Sequence, residues 1–111
     1  MPKYAKIFLD ATIKPTDTTG KKWLLIKNYN DFKKCIIFDG LPWEMSFGFI
    51  SDGDKTIPPS RIAKFVIGYS MRHGYDLSHM GWEVHADSKI EEDKIMNLFN
   101  DYYTYYNIKK W

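Results

Sequence analysis

The sequence predicts an α/β domain built on a mostly parallel four-stranded sheet, in the order β-β-α-β-α-β-α, with helices on both faces. Three observations carry this. Short apolar runs of strand length, such as Trp23-Leu24-Leu25-Ile26-Lys27, alternate with longer segments whose apolar residues recur at helical spacing. That alternation implies right-handed crossovers and parallel strands. The chain has 111 residues, 44% of them hydrophobic, which is enough for one core without staples, so residues 1–111 read as a single domain.

The elements follow in order. Tyr4 to Asp10 is a strand that ends in an acid, and Ala11 to Gly20 is a polar loop with Pro15 and a Thr/Asp cluster. Trp23 to Lys27 is nearly continuous in apolar residues, the pattern of a strand buried on both faces. Asn28 or Asn30 suits the cap of the first helix, whose Phe32, Cys35 and Ile36 share one face and which Gly40 stops. The third strand spans about Glu44 to Ile50, and a loop from Ser51 to Thr56 follows. Pro58-Pro59-Ser60 opens a second helix with Ile62, Phe65, Val66 and Tyr69 at helical spacing, and Gly74 ends it. Gly81 to Ala86 is the fourth strand. Ser88 with Glu91 three positions on forms a capping box for the last helix, whose stripe is Ile95, Leu98, Phe99, Tyr102 and Tyr106.

Composition narrows the function. A net charge of +2 is too small to argue for nucleic acid, and among the 16 basic residues only Arg61 and Arg72 are arginines, the residue best suited to planar phosphate recognition. The abundance of Lys, Ile, Asn and Tyr is what an AT-rich genome, viral (phage included) or bacterial, would encode. The single Cys35 excludes an intramolecular disulfide and a cysteine-rich zinc site. The Met1-Pro2-Lys3 start lacks the apolar run of a secretory leader, and no segment approaches membrane-spanning length, so a cytoplasmic protein with no membrane partner is expected.

In open α/β sheets ligands gather outside the carboxyl ends of the strands. Here that edge collects Asp10, Ser51, Asp52 and His85, with Asp54 and Asp87 in the loops beyond. Asp10 with Asp52 is a candidate Mg²⁺ pair, and His85 is a candidate general acid or base, so Asp10 and His85 are the candidate catalytic residues. Against this, Asp52-Gly53-Asp54 is also an ordinary turn sequence, and a strand-end histidine is more often hydrogen-bonded to a neighbouring loop. His73, His79 and His85 fall on different elements and do not make a zinc site. Ser46 and Ser51 lack the glycine context of a nucleophile elbow, and no phosphate loop or dinucleotide fingerprint occurs. The pairs Lys21-Lys22, Lys33-Lys34 and Lys109-Lys110 read as solvated charge. At the C-terminal end, Tyr103, Tyr105 and Trp111 are candidates for a protein-contact patch.

Ile7-Phe8-Leu9-Asp10, Tyr29-Asn30-Asp31-Phe32, Leu41-Pro42 leading to Ser46-Phe47, and Val84-His85 resemble the cyclic-phosphate-processing receiver-like family. The resemblance implies a small receiver-like three-layer sandwich. Members typically show Leu-Asp-Asp after the first strand, Ser-Phe-Asp-His-Asp-Leu-Gly after the third and His-Ser-x-Asn-Pro after the fourth. In this chain Ala11 replaces the second acid, Gly48-Phe49-Ile50 replaces Asp-His-Asp, and Ala86-Asp87-Ser88-Lys89 follows His85. The resemblance therefore implies the scaffold with its reaction centre depleted. The expectation is a non-catalytic domain that binds another protein as inhibitor, adaptor or decoy and needs no cofactor. The alternatives are a metal-dependent phosphoesterase of cyclic or terminal phosphates and a nucleotide- or RNA-sensing module.

Overall fold

In a computed structural model, residues 6–11, 23–78 and 80–110 are described, with side chains as far as 105. The expectations placed on Pro15, Lys21, Lys22, His79 and Trp111, and on the side chains of Tyr106, Lys109 and Lys110, lie outside the described residues.

Four short strands form the main sheet: β1 (Lys6–Leu9), β2 (Trp23–Ile26), β3 (Glu44–Phe47) and β6 (Gly81–Val84). Their order is β2-β1-β3-β6 and every pairing is parallel. The α/β class, the parallel sheet and the three helices are as the strand–helix alternation predicts. The crossover from β2 to β3 runs through α1 (Tyr29–Asp39) and passes β1, which leaves β1 central and its Ile7, Phe8 and Leu9 buried.

One element differs from expectation. The third strand does not continue to Ile50: β3 stops at Phe47, and the chain re-forms as a hairpin of β4 (Ile50–Asp52) and β5 (Lys55–Ile57) where a loop was predicted. Ile50 pairs with Ile57, both fully buried, while the tip turns at Gly53 with φ 61°. The hairpin is stitched to the sheet by two backbone bonds, Ala11 N–H to the Phe49 carbonyl (3.0 Å) and Ser51 N–H to the Lys27 carbonyl (3.0 Å). A stretch too polar for a core strand is thus ordered by pairing with its neighbours and by two apolar anchors.

The helix ends follow local chemistry. Asn28 caps α1, its Oδ1 accepting from Asp31 N–H at 2.8 Å, and Gly40 closes it at φ 88°. In α2 (Pro59–His73), proline occupies the first helical position and Gly74 adopts the left-handed conformation at φ 70°. Ser88 Oγ accepts from Glu91 N–H at 3.3 Å at the start of α3 (Lys89–Lys110). The second half of the expected capping box is absent. The Glu91 carboxylate reaches across instead to the Ser60 N–H at the start of α2, 2.9 Å away.

Phe47 of β3 and Trp82 of β6 both meet Phe99 of α3, with ring centroids 6.1 and 4.7 Å apart. Phe32 of α1 meets Phe65 of α2 edge-on at 5.6 Å. Phe32, Ile36, Ile62, Ile95 and Phe99 are fully buried, so truncating any one to Ala opens a cavity worth about 2–5 kcal/mol. No described helix is long and apolar enough to cross a membrane.

Candidate functional site

Strand alternation decides what gathers at the carboxyl edge of the sheet. Phe8 lies beside Ser46, and Ser46 beside Glu83, so side chains at 8, 46 and 83 share one face and those two residues on, at 10, 48 and 85, continue it. Ile7, Leu9, Met45, Phe47 and Trp82 take the opposite face. The last rung of each ladder fixes the two polar ends: Asp10 N–H bonds the Ile26 carbonyl (3.1 Å), and His85 N–H bonds the Phe47 carbonyl (3.1 Å).

From that position His85 extends sideways across β3. Its Nε2 lies 2.8 Å from Asp10 Oδ2 on β1, and its Nδ1 lies 2.7 Å from Ser46 Oγ. The ring lies flat on Phe8, with centroids 4.0 Å apart and planes 12° apart. Asp10 and Ser46 are buried, Ser46 completely, and the His85 side chain keeps 15% exposure. An ionised carboxylate can only accept, so Nε2–H donates to Asp10. In the neutral ring Nδ1 then accepts the Ser46 hydroxyl proton, while in the imidazolium it donates to Ser46 Oγ.

Gly48 makes this path possible. A Cβ there would come 2.3 Å from His85 Nε2 and 2.5 Å from the Leu9 carbonyl oxygen. No side chain other than hydrogen fits between the imidazole and the β1 backbone.

Other sequence-selected residues are placed elsewhere. Ser51 on β4 gives its hydroxyl to the Lys27 carbonyl at 3.2 Å, the group that its amide also bonds. Asp52 and Asp54 are exposed on the hairpin, and Asp87 is exposed in the bend after β6. Among the described residues no three His, Cys, Asp or Glu side chains converge as metal ligands. Phe49, set at the break after β3, is 37% exposed. Tyr103 packs on Phe99 and accepts a hydrogen bond from Trp82 Nε1 at 3.3 Å, so it is part of the packing under α3, whereas Tyr105 is exposed.

Sequence reasoning missed two groups. Ser46 was judged only as a nucleophile, although its register beside Phe8 puts it under the histidine. Glu91 was assigned to its own helix. The available signal was negative: α2 begins Pro58-Pro59-Ser60-Arg61 with no acid in its first turn and no side-chain cap, so its amides needed a distant acceptor. Burial pushes the Glu91 carboxyl up, but the Ser60 hydrogen bond and Lys94 outweigh it and hold the group below its ordinary value. Tyr102 moves the other way. Burial raises its phenol, which accepts from Leu77 N–H at 3.0 Å.

A recess of about 510 Å³ lies between β2 and α1, lined by Leu24, Ile26, Asp31, Cys35 and Phe38 among others; none of Asp10, Ser46 or His85 lines it. Comparison with protein-family models, with curated proteins and with solved structures finds no match for this chain.

Proposed function

We propose that this chain is a non-catalytic receiver-like domain that acts by binding another protein, as an inhibitor, adaptor or decoy. The observation that carries this reading is the buried hydrogen-bonded circuit that runs from Ser46 through His85 to Asp10. A general acid or base needs a ring nitrogen within hydrogen-bond reach of the substrate. Here both nitrogens of His85 are bonded to protein groups, and unlike the exposed serine of a Ser-His-Asp triad Ser46 has no exposure, so its hydroxyl is not presented to a substrate. These bonds tie the carboxyl ends of β1 and β6 to β3, which is a structural task.

Binding is supported by what the surface presents. Ile37 and Phe38 in the last turn of α1, and Trp43 on the connection from α1 to β3, are 54%, 80% and 55% exposed. Large apolar side chains so displayed are the usual anchors of protein interfaces.

Two measurements test the reading. Assay of 2′,3′-cyclic and terminal phosphoesters with Mg²⁺ or Mn²⁺ is expected to show no turnover, and calorimetry no stoichiometric metal uptake. Pull-down from host lysate is expected to retain a protein that the Phe38→Asp and Trp43→Asp variants lose. Metal-dependent turnover abolished by Asp10→Ala would overturn the proposal in favour of a phosphoesterase.

A further inference from the structure

We propose that the outward face of α2, centred on Gly68 between Arg61 and Arg72, binds single-stranded nucleic acid. This surface is separate from the exposed Ile37, Phe38 and Trp43 described above, and neither proposal depends on the other.

At 3.6 residues per turn, positions 61, 65, 68 and 72 fall on one side of the helix. Both arginines of the chain are therefore on a single face, about 16 Å apart along the axis. The scarcity of arginine overall hides its local concentration. Helix α2 carries Arg61, Lys64, Arg72 and His73 and no carboxylate anywhere in its 15 residues. Arg72 and His73 sit in the last turn, where the helix dipole favours cations. That account fails for Arg61, which lies in the first turn, where a cation is disfavoured. The carboxylate that serves this end, Glu91, is engaged by Ser60 N–H and by Lys94 at 3.5 Å. Arg61 lies 5.7 Å from the ring of Tyr29, and Lys33 reaches the same ring at 4.8 Å.

Aromatic rings run beside these cations. Phe65, half-buried against Phe32, is followed by the half-buried Tyr69, nearly parallel to it at 6.0 Å; His73 lies on Tyr69 at 4.3 Å, and Tyr75, 6.0 Å from Tyr69, is the exposed ring of the row. Single-strand binders combine these two elements, cations for the phosphates and aromatic faces on which bases stack regardless of sequence. Guanidinium groups add both bidentate phosphate contacts and stacking.

Gly68 completes the argument. Glycine is the poorest helix former after proline, and a Cβ at this position would meet nothing within 4 Å. No packing within the protein requires the gap. A bare stretch of backbone among arginines and rings lets a flat ligand approach the helix closely. An acidic polypeptide would be served by the charges alone and would need neither the gap nor the rings.

The test is fluorescence anisotropy of a labelled single-stranded oligouridylate with the intact chain at low salt. Expected is saturable binding whose logarithm falls with log salt at a slope of about −1.5 to −2, as two or three neutralised phosphates require. Arg61→Glu and Arg72→Glu should each weaken it about tenfold or more. Gly68→Leu should weaken it comparably while leaving the melting temperature unchanged or higher, and this variant decides the matter if the charge reversals disturb folding. Absence of binding by the wild type overturns the proposal, and so does binding indifferent to all three substitutions. Displacement by polyglutamate as effective as by unlabelled oligouridylate also overturns it, assigning the face to an acidic polypeptide.

Discussion

Asp10 and Glu91 are both buried carboxylates at the ends of regular elements, and each bonds a residue more than thirty positions away. They are held in opposite ways. Asp10 faces a side chain, His85, which itself rests on Ser46 and Phe8, so its environment consists of groups that must all be placed at once. Glu91 faces a backbone amide and a flexible ammonium, and it lies at the N-terminal ends of both α2 and α3, where the helix dipoles favour negative charge. The first arrangement depends on shape and the second on charge. Perturbing shape should therefore damage the Asp10 circuit most, and acidification should weaken the contacts of Glu91.

The largest effect is expected from Gly48→Ala. The added methyl has to displace the imidazole or the β1 backbone, and the hydrogen bonds to Asp10 and Ser46 go with it. Overpacking joined to lost buried polar contacts should cost roughly 3 kcal/mol, read from the shift in denaturant midpoint. A variant as stable as the wild type would show that the circuit contributes little to the fold.

Glu91→Gln comes next. It keeps an acceptor for Ser60 N–H and removes the charge, so a loss of about 1 kcal/mol is expected at neutral pH. Because the folded carboxyl titrates below its ordinary value, its contribution is complete above about pH 5 and is lost as pH falls through the folded value. The difference in stability between wild type and Glu91→Gln should therefore shrink on acidification, as thermal unfolding across that range would reveal. A constant difference would assign the role of Glu91 to packing.

The smallest effect carries the opposite sign. Gly68→Ala adds a methyl into open space within a helix, and it should stabilise the protein by roughly 0.5–1 kcal/mol in thermal melts. A neutral or destabilising result would mean that the gap has a structural use in the folded chain, which would weaken the case for a ligand there.

Much of the molecule was legible from residue type alone. Asn28, Pro59, Gly40 and Gly74 mark helix ends because their backbone preferences are local, and Phe32, Cys35, Ile36, Ile95 and Phe99 are buried where periodicity places them. Asp10 and His85 were recognisable as residues of one sheet edge because parallel strands bring their carboxyl ends together, but the bond between them was not, since residue type alone pairs Asp10 with Asp52. The hairpin over 50–57 was not legible. Its only apolar anchors, Ile50 and Ile57, frame a sequence that reads as a turn, and its order comes from bonds to Ala11 and Lys27. Nor was the fate of Ser46, since a serine inside a strand says nothing of its neighbours until the register is known.

By itself the sequence determined the alternation of strands and helices, the extent of the core and the stops of the helices, because propensity, capping and hydrophobic period act over a few residues. Tertiary structure alone decided that His85 lies across Gly48 onto Asp10 and Ser46, and that Glu91 caps a helix other than its own. Those bonds join residues 31 to 75 positions apart along the chain. Their geometry depends on sheet register and helix docking, which no local preference encodes.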